Sequence, residues 1–203
     1  MSKVVKLSDH PITRFGHKRV LKRKKRSPED HGQLNIFDVD VPSGKVVRLN
    51  ASSSFEEALT LDEMGNTEAA REAYQSAIRN GDRTADAYCN LGIIESRNNS
   101  IKAIDCFTRS LRVAPRHFQS HYNLANLYSE KKNYELAKLH YEIALEIAPD
   151  FPNAHYNLGL VLAMMKDYKG AVAALSIYRK QTPPDELGKT DDLIHSLKRW
   201  LTD

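Results

Sequence analysis

The residues of this chain with the widest chemical repertoire are its eight histidines and two cysteines. They form neither a His-Glu-x-x-His nor a Cys-x-x-Cys motif, and the sequence contains no glycine-rich phosphate loop and no nucleophile elbow. His117 and His121 are four residues apart, a spacing that can bind a metal ion on a helix. However, Pro115 places His117 beside a turn, and His121 recurs as His155 in a repeated segment, which indicates a packing role. The sequence therefore predicts no metal site, no cofactor and no catalytic activity.

The cysteine content and the distribution of apolar residues indicate the cellular compartment in which the protein is expected. Cys89 and Cys106 are too few for a disulfide framework and are expected to be reduced thiols at packing positions. No apolar run approaches the length of a membrane-spanning helix, and the first residues lack the apolar core of a secretory signal. A cytoplasmic protein that does not enter the membrane is expected.

Charge is distributed unevenly along the chain. Residues 1–50 carry 12 Lys and Arg against 5 Asp and Glu, whereas the rest carries 18 against 21. A compact block of like charge cannot bury itself, so residues 1–50 are expected to be a largely disordered basic arm. The block could contact nucleic acid phosphates, act as a nuclear import signal, or be only a solvated linker. Its members are Lys22, Arg23, Lys24, Lys25 and Arg26.

A short motif follows the basic block. It resembles the peptide with which bacterial replication and repair proteins bind the DNA sliding clamp, a Gln-Leu pair followed by a polar residue, Leu or Ile, and Phe. Such a peptide needs a glutamine for hydrogen bonds and closely spaced apolar anchors for a small pocket. The same stretch is also compatible with a short strand within 33–41 or with a plain linker. The motif consists of Gln33, Leu34, Asn35, Ile36 and Phe37.

The rest of the chain is organised by a repeat of 33 to 34 residues. The segment that begins at Tyr88 and reads Tyr-Cys-Asn-Leu-Gly returns as His-Tyr-Asn-Leu-Ala from His121 and as His-Tyr-Asn-Leu-Gly from His155. Alanines and prolines keep the same step, at Ala70, Ala103, Ala137 and Ala171 and at Pro115, Pro149 and Pro183. Each unit shows two helical stripes closed by a proline, which predicts an array of helix–turn–helix units.

This pattern resembles the tetratricopeptide repeat, with Leu-Gly or Leu-Ala in the first helix, Ala-x3-aromatic-x2-Ala in the second and a terminal proline. The resemblance implies an all-α, right-handed superhelical solenoid of about four repeats. A capping helix within 186–203 is expected to cover the last repeat with Leu193, Ile194, Leu197, Trp200 and Leu201. The repeats occupy 51–185, as units 51–84, 85–117, 118–151 and 152–185.

The resemblance also implies a site. In this family the first helices line a concave groove, and three rows of residues would face it here. Asparagine can pair with either group of a peptide backbone, and tyrosine offers a large contact area with a polar tip. The asparagines could equally be structural and bridge neighbouring helices. The three rows are Cys89, Tyr122 and Tyr156; Asn90, Asn123 and Asn157; and Ile93, Asn126 and Leu160.

These features favour an adaptor or scaffold that binds a partner peptide or protein in the groove. The alternative is a replication or repair accessory factor, tethered to DNA by the basic arm and to a clamp by residues 33–37. The sequence does not specify the partner or the oligomeric state.

Overall fold

The computed structural model describes Arg19 and residues 53–201. Every regular element in these residues is helical, and α1 and α2 form one compact unit while α3 to α9 form a second. The predicted arm, apart from Arg19, and the segment 33–41 lie outside the described residues. The helices are α1 (Ser54–Glu63), α2 (Thr67–Arg79), α3 (Thr84–Ser96), α4 (Ser100–Val113), α5 (Phe118–Glu130), α6 (Tyr134–Ile147), α7 (Pro152–Met164), α8 (Tyr168–Gln181) and α9 (Gly188–Arg199), with a 3-10 turn at Pro184–Glu186 before α9.

The second helix of each pair begins at a side-chain cap. Asn66, Asn99, Asn133 and Asp167 each accept a hydrogen bond from a backbone N–H in the first turn of α2, α4, α6 and α8. Such caps satisfy amides that have no partner within the helix, at about 1 kcal/mol each. Because the capping residue recurs at the equivalent position of each pair, it fixes the residue at which each second helix begins.

The crossing of paired helices depends on small residues. A Cβ atom added to Gly92 in α3 would lie 2.6 Å from the Phe107 ring of α4, and one added to Gly159 in α7 would lie 2.6 Å from Leu175 Cγ of α8. Real Cβ atoms do not approach so closely, so glycine is needed at both crossings. This confirms the packing reason that the sequence indicates for glycine in the middle of a helix, where it costs up to about 1 kcal/mol relative to alanine.

The C-terminal helix agrees only partly with expectation. Leu193, Ile194 and Leu197 of α9 are buried, and α9 packs on α8. Trp200 and Leu201 are 56% and 50% exposed, although the Trp200 ring lies 6.0 Å from the Tyr168 ring at the start of α8, so these two residues are less buried than expected. The physical reason is that α9 ends at Arg199, so these two side chains leave the apolar stripe of the helix.

Candidate functional site: the first-helix face

The predicted groove residues lie on the first helices α3, α5 and α7, and we name the surface they form with Ser129 the first-helix face. All nine are buried, and the most exposed of them, Ile93, is only 4% exposed. They are Cys89, Asn90 and Ile93 on α3, Tyr122, Asn123 and Asn126 on α5, and Tyr156, Asn157 and Leu160 on α7. The first-helix face is thus closed to water in this structure rather than an open groove.

The asparagine row links successive first helices. Asn123 Nδ2 lies 3.5 Å from Cys89 Sγ, and Asn157 Nδ2 donates to Tyr122 Oη at 3.2 Å. Each amide therefore reaches the residue just before the asparagine of the preceding helix. These contacts agree with the structural interpretation of the row, and peptide binding by these side chains remains a prediction.

Asn126 is the centre of a buried polar cluster on this face. Its Oδ1 accepts hydrogen bonds from Tyr141 Oη at 2.5 Å and from Asn157 Nδ2 at 3.1 Å. Burial raises the pKa of Tyr122 to about 12 and that of Tyr141 well above its usual range. Both phenols thus stay protonated at neutral pH and act as neutral hydrogen-bonding groups.

Two polar atoms of the face are buried without a hydrogen-bond partner. They are Oδ1 of Asn157, which is 0% exposed, and Oγ of Ser129, which is 1% exposed. Ser129 follows Asn126 by three residues on α5, so the two side chains share one side of the helix. Leaving such atoms unpaired costs about 1–3 kcal/mol each, which makes them candidates for a function outside the fold. Sequence reasoning missed Ser129, although its spacing from Asn126 was a usable signal.

Two of the first helices, α5 and α7, are buried around their whole circumference over part of their length. In α7 the ten residues Ala154–Ala163 are all buried, and in α5 the eight residues Ser120–Leu127 are all buried. Such runs cover more than two helical turns, so no exposed strip remains there. By contrast α6 buries only Ala137, Tyr141 and Ala144.

The histidines have structural contacts. The His117 imidazole caps α5, because its Nδ1 accepts from the backbone N–H of Ser120 at 3.2 Å, while Nε2–H donates to Asp86 Oδ1 at 2.8 Å. Burial acts to raise the pKa of Asp86, but the His117 hydrogen bond and the Arg83 charge outweigh it and hold this pKa below its usual range.

The Ser120 hydroxyl completes this carboxylate–imidazole–hydroxyl row, since its Oγ is 2.9 Å from His117 Nδ1. A row of this composition can activate a nucleophile. Here the side chain of Ser120 is 0% exposed and its hydroxyl donates to Ser110 Oγ at 2.7 Å. Ser110 in turn donates to the carbonyl oxygen of Ala85. The row therefore ties α3, α4 and α5 together and offers no surface to a substrate.

His121 and His140 form a second histidine contact, between α5 and α6. Their Nδ1 atoms are 3.0 Å apart, and His121 Nε2 lies 3.1 Å from the Pro115 carbonyl oxygen. Donation from Nε2–H to that carbonyl leaves Nδ1 of His121 as an acceptor, so His140 Nδ1–H is the donor. The Tyr128 ring stacks on His140 at a centroid distance of 5.6 Å. The hydrogen bond requires a neutral His121, whereas a second proton on His140 would place a charge at a partly buried position beside it.

Acid should therefore weaken the fold through this pair. Burial and the neighbouring His121 lower the pKa of His140 to about 4, and burial, with the charge of His117, lowers that of His121. The unfolded chain, with histidine pKa values near 6.5, then binds more protons than the folded chain as the pH falls from about 6.5 towards 4. Stability should be fully present above pH 6.5 and decline below it. We expect the urea midpoint to be lower at pH 5 than at pH 7.5, and His140→Gln to reduce this difference.

The matched control for this prediction is His195→Gln, at an exposed position of α9. This variant should keep the full pH dependence of the parent. A parent midpoint that does not change between pH 7.5 and 5 would contradict the assignment.

The two cysteines are free and buried. Burial raises the pKa of Cys89 to about 12 and that of Cys106 to about 11, so neither thiol is a ready nucleophile at neutral pH. No group of three or more acidic, His or Cys side chains suited to a metal ion occurs in residues 53–201 or at Arg19. In the same part of the chain, no helix is both long and apolar enough to cross a bilayer.

Two predicted sites lie outside the described residues. The clamp-like motif, Gln33, Leu34, Ile36 and Phe37, and the basic block 22–26 both belong to the arm. Their roles in clamp and nucleic acid binding remain predictions.

Comparison with known proteins identifies the class. Sequence profiles described as tetratricopeptide repeat or TPR repeat match residues 55–102, 106–138 and 125–166. The chain belongs to the tetratricopeptide repeat family, and the described helices form the paired, all-α arrangement of such a solenoid. Proteins of this kind are in general protein-interaction scaffolds and are typically not catalytic. No curated protein sequence is significantly similar to the chain.

Solved structures of MamA share the fold. A structure of MamA from residue 41 to its end, from Desulfovibrio magneticus RS-1, is 20% identical with a TM-score of 0.63, covering 74% of this chain and 84% of its own. A MamA RS-1 ArsTM double mutant gives the same identity and coverage with a TM-score of 0.64. A structure of MamA AMB-1 is 18% identical, covers 73% of this chain and 81% of its own, and has a TM-score of 0.62. At these identities the likeness shows the fold alone.

Proposed function

We propose that this protein is an adaptor that binds an extended segment of a partner protein along the first-helix face. Solenoids of stacked helix pairs commonly bind their partners along an extended concave surface rather than in a closed catalytic pocket. On this face the buried amides of Asn123, Asn126 and Asn157 alternate with the aromatic rings of Tyr122 and Tyr156. Rings of this kind supply contact area, and amides supply orientation. We place the adaptor in the cytoplasm, where free thiols such as Cys89 and Cys106 persist.

The observation that carries this proposal is the unmet hydrogen bonding of Ser129 Oγ and Asn157 Oδ1. An amide oxygen is an acceptor, and a hydroxyl can accept as well as donate. A ligand whose main chain is extended presents N–H donors at regular intervals and could satisfy both atoms. Each bond formed would contribute about 0.5–1.5 kcal/mol to binding.

Ser129→Ala separates this function from the fold. The change removes a buried hydroxyl that has no partner, so stability should stay the same or rise. Partner binding should weaken by about two- to tenfold, the equivalent of one lost hydrogen bond of 0.5–1.5 kcal/mol. The measurement is the dissociation constant of peptides selected on the intact chain from a display library, determined beside the urea midpoint.

Ser176→Ala is the matched control. Ser176 lies on the second helix α8, where its hydroxyl donates to the carbonyl oxygen of Val172 at 2.6 Å. The chemical change is identical, but the position is off the first-helix face, so the selected peptides should bind this variant as they bind the parent. Equal weakening by both variants, or by neither, would argue against the proposal.

A further inference from the structure

His121 of α5 and His140 of α6 bring two imidazole rings together within one helix pair. Their Nδ1 atoms are 3.0 Å apart, and the ring centroids are 5.2 Å apart. One Nδ1 atom carries the hydrogen of this bond, and the other presents a lone pair to it. Neutral imidazole nitrogen is the commonest metal ligand of proteins, so two of them at this distance can do more than pack.

The repeat does not require the second of these histidines. One repeat later, the place of His140 is taken by Ala174 in α8. His155, which has the place of His121 in that pair, still reaches the carbonyl oxygen of Pro149 with Nε2 at 2.9 Å. An alanine opposite the first-helix histidine is thus compatible with the fold. His140 therefore supplies a second ring nitrogen that packing of the repeat does not demand.

The orientation of His121 is that of a metal-binding histidine. Its Nε2 lies 3.1 Å from the carbonyl oxygen of Pro115, and the N–H donated there leaves the Nδ1 lone pair directed at His140. Metal-ligating histidines almost always donate their other ring N–H in this way, which fixes the tautomer and the ring direction. The Tyr128 ring stacks on His140 with 18° between the ring planes. Both imidazoles are therefore held in place before any ion binds.

The distance between the two nitrogens is close to that of a chelate. Zn²⁺ binds imidazole nitrogen at about 2.0–2.1 Å, so two histidines on a tetrahedral ion place their nitrogens about 3.4 Å apart. The present 3.0 Å would have to widen by about 0.4 Å. His140 is only partly buried, which gives its ring room for this shift and leaves the pair accessible from solvent. The ion would replace the hydrogen between the rings, and His140 would then carry its proton on Nε2.

His117 does not belong to this pair, although it lies four residues before His121. Both of its ring nitrogens are engaged, because Nδ1 accepts from the backbone N–H of Ser120 at 3.2 Å and Nε2–H donates to Asp86 Oδ1 at 2.8 Å. The second nitrogen thus comes from the facing helix and not from the preceding turn of the same helix.

We propose that His121 and His140 bind a divalent transition-metal ion of the zinc, nickel and copper class through their Nδ1 atoms. Imidazole suits these ions, whereas Mg²⁺ and Ca²⁺ prefer oxygen ligands. In residues 53–201 and at Arg19, no third His, Cys, Asp or Glu joins the pair to make a set of three. The ion therefore keeps coordination positions for water or for a donor from another molecule. Because only the folded chain holds both ligands together, the ion should stabilise the fold.

The test is a Zn²⁺ titration of the intact chain, without a polyhistidine tag, by isothermal calorimetry at pH 7.5. His121→Gln and His140→Gln should each weaken Zn²⁺ binding at least tenfold. Loss of an outer-shell partner already costs 10- to 100-fold in metal affinity, and loss of a ligand should cost no less. Mg²⁺ in excess should not compete with Zn²⁺. Circular dichroism in EDTA checks that each variant is folded.

His195→Gln is the matched control, because the same chemical change removes an exposed imidazole from α9. This variant should bind Zn²⁺ as the parent does. Equal weakening by all three variants, or by none of them, would overturn the inference. So would a parent that does not bind Zn²⁺ at about 1 mM.

A second measurement does not depend on the folding of any variant. In a long-range ¹H–¹⁵N spectrum of the parent, Zn²⁺ should shift the Nδ1 signals of His121 and His140 and leave those of His117 nearly unchanged. The urea midpoint of the parent should rise with Zn²⁺ concentration, as it does for any ligand that binds only the folded chain. Shifts confined to the other histidines, or a midpoint that Zn²⁺ does not raise, would contradict the assignment.

Discussion

Replacing Phe107 with alanine is expected to lower the free energy of unfolding by about 3–5 kcal/mol, the range seen when a buried aromatic ring is removed. The Phe107 ring is 0% exposed and fills the crossing of α3 and α4, where it contacts Gly92. The neighbouring side chains are close-packed and can move only slightly, so removal of the ring would leave a cavity. Urea denaturation measures the change.

The same crossing predicts a strong coupling with Gly92. In the parent, Gly92→Ala places a methyl group 2.6 Å from the Phe107 ring, and such overpacking costs about 1–3 kcal/mol. In the Phe107→Ala background the obstacle is gone, so the substitution should be neutral or stabilising by up to about 1 kcal/mol from the higher helix propensity of alanine. A double-mutant cycle measures this difference. The same cost in both backgrounds would contradict the close crossing.

Asn126→Ala should be the second severe change, lowering the free energy of unfolding by about 2–4 kcal/mol. It removes the acceptor of Tyr141 Oη and of Asn157 Nδ2 inside the first-helix face. A buried hydroxyl left without its partner costs about 1–3 kcal/mol, and the lost side-chain volume adds a cavity term. Thermal and urea denaturation both report the loss.

Tyr141→Phe provides the background for the control. In the Tyr141→Phe background there is no phenol hydroxyl for Asn126→Ala to leave without an acceptor. Asn126→Ala should therefore lower the free energy of unfolding by about 1 kcal/mol or more less than it does in the parent. If the Asn126→Ala variant alone is as stable as the parent, the polar cluster contributes nothing to the stability of the fold.

The fold could be predicted from the sequence because several residue types keep one period. The asparagine, alanine and proline series each mark a fixed place in a helix pair, and Gly92 and Gly159 indicated close crossings that the structure contains. The exposure of Trp200 could not be predicted, since an apolar stripe does not reveal that the helix ends one residue before it.

The candidate site stays a prediction as a binding site. The family resemblance put Tyr122, Asn126 and Asn157 on one face, and hydrogen bonds join them there, but no sequence pattern could show whether that face is open, because burial depends on what else packs there. The absence of charge in Pro152–Met164 was the available signal for a covered helix. The pairing state of Ser129 and Asn157 follows from three-dimensional contacts that have no sequence signature.

The most direct test of the adaptor function is a ¹⁵N chemical-shift titration of the intact, labelled protein with a library-selected peptide. If the first-helix face binds the peptide, the shifts should be centred on Ser129 and Asn157 and extend along α3, α5 and α7, with the side-chain amide signal of Asn157 among the most affected. Shifts confined to the second helices α4, α6 and α8, with Ser129 and Asn157 unchanged, would contradict it.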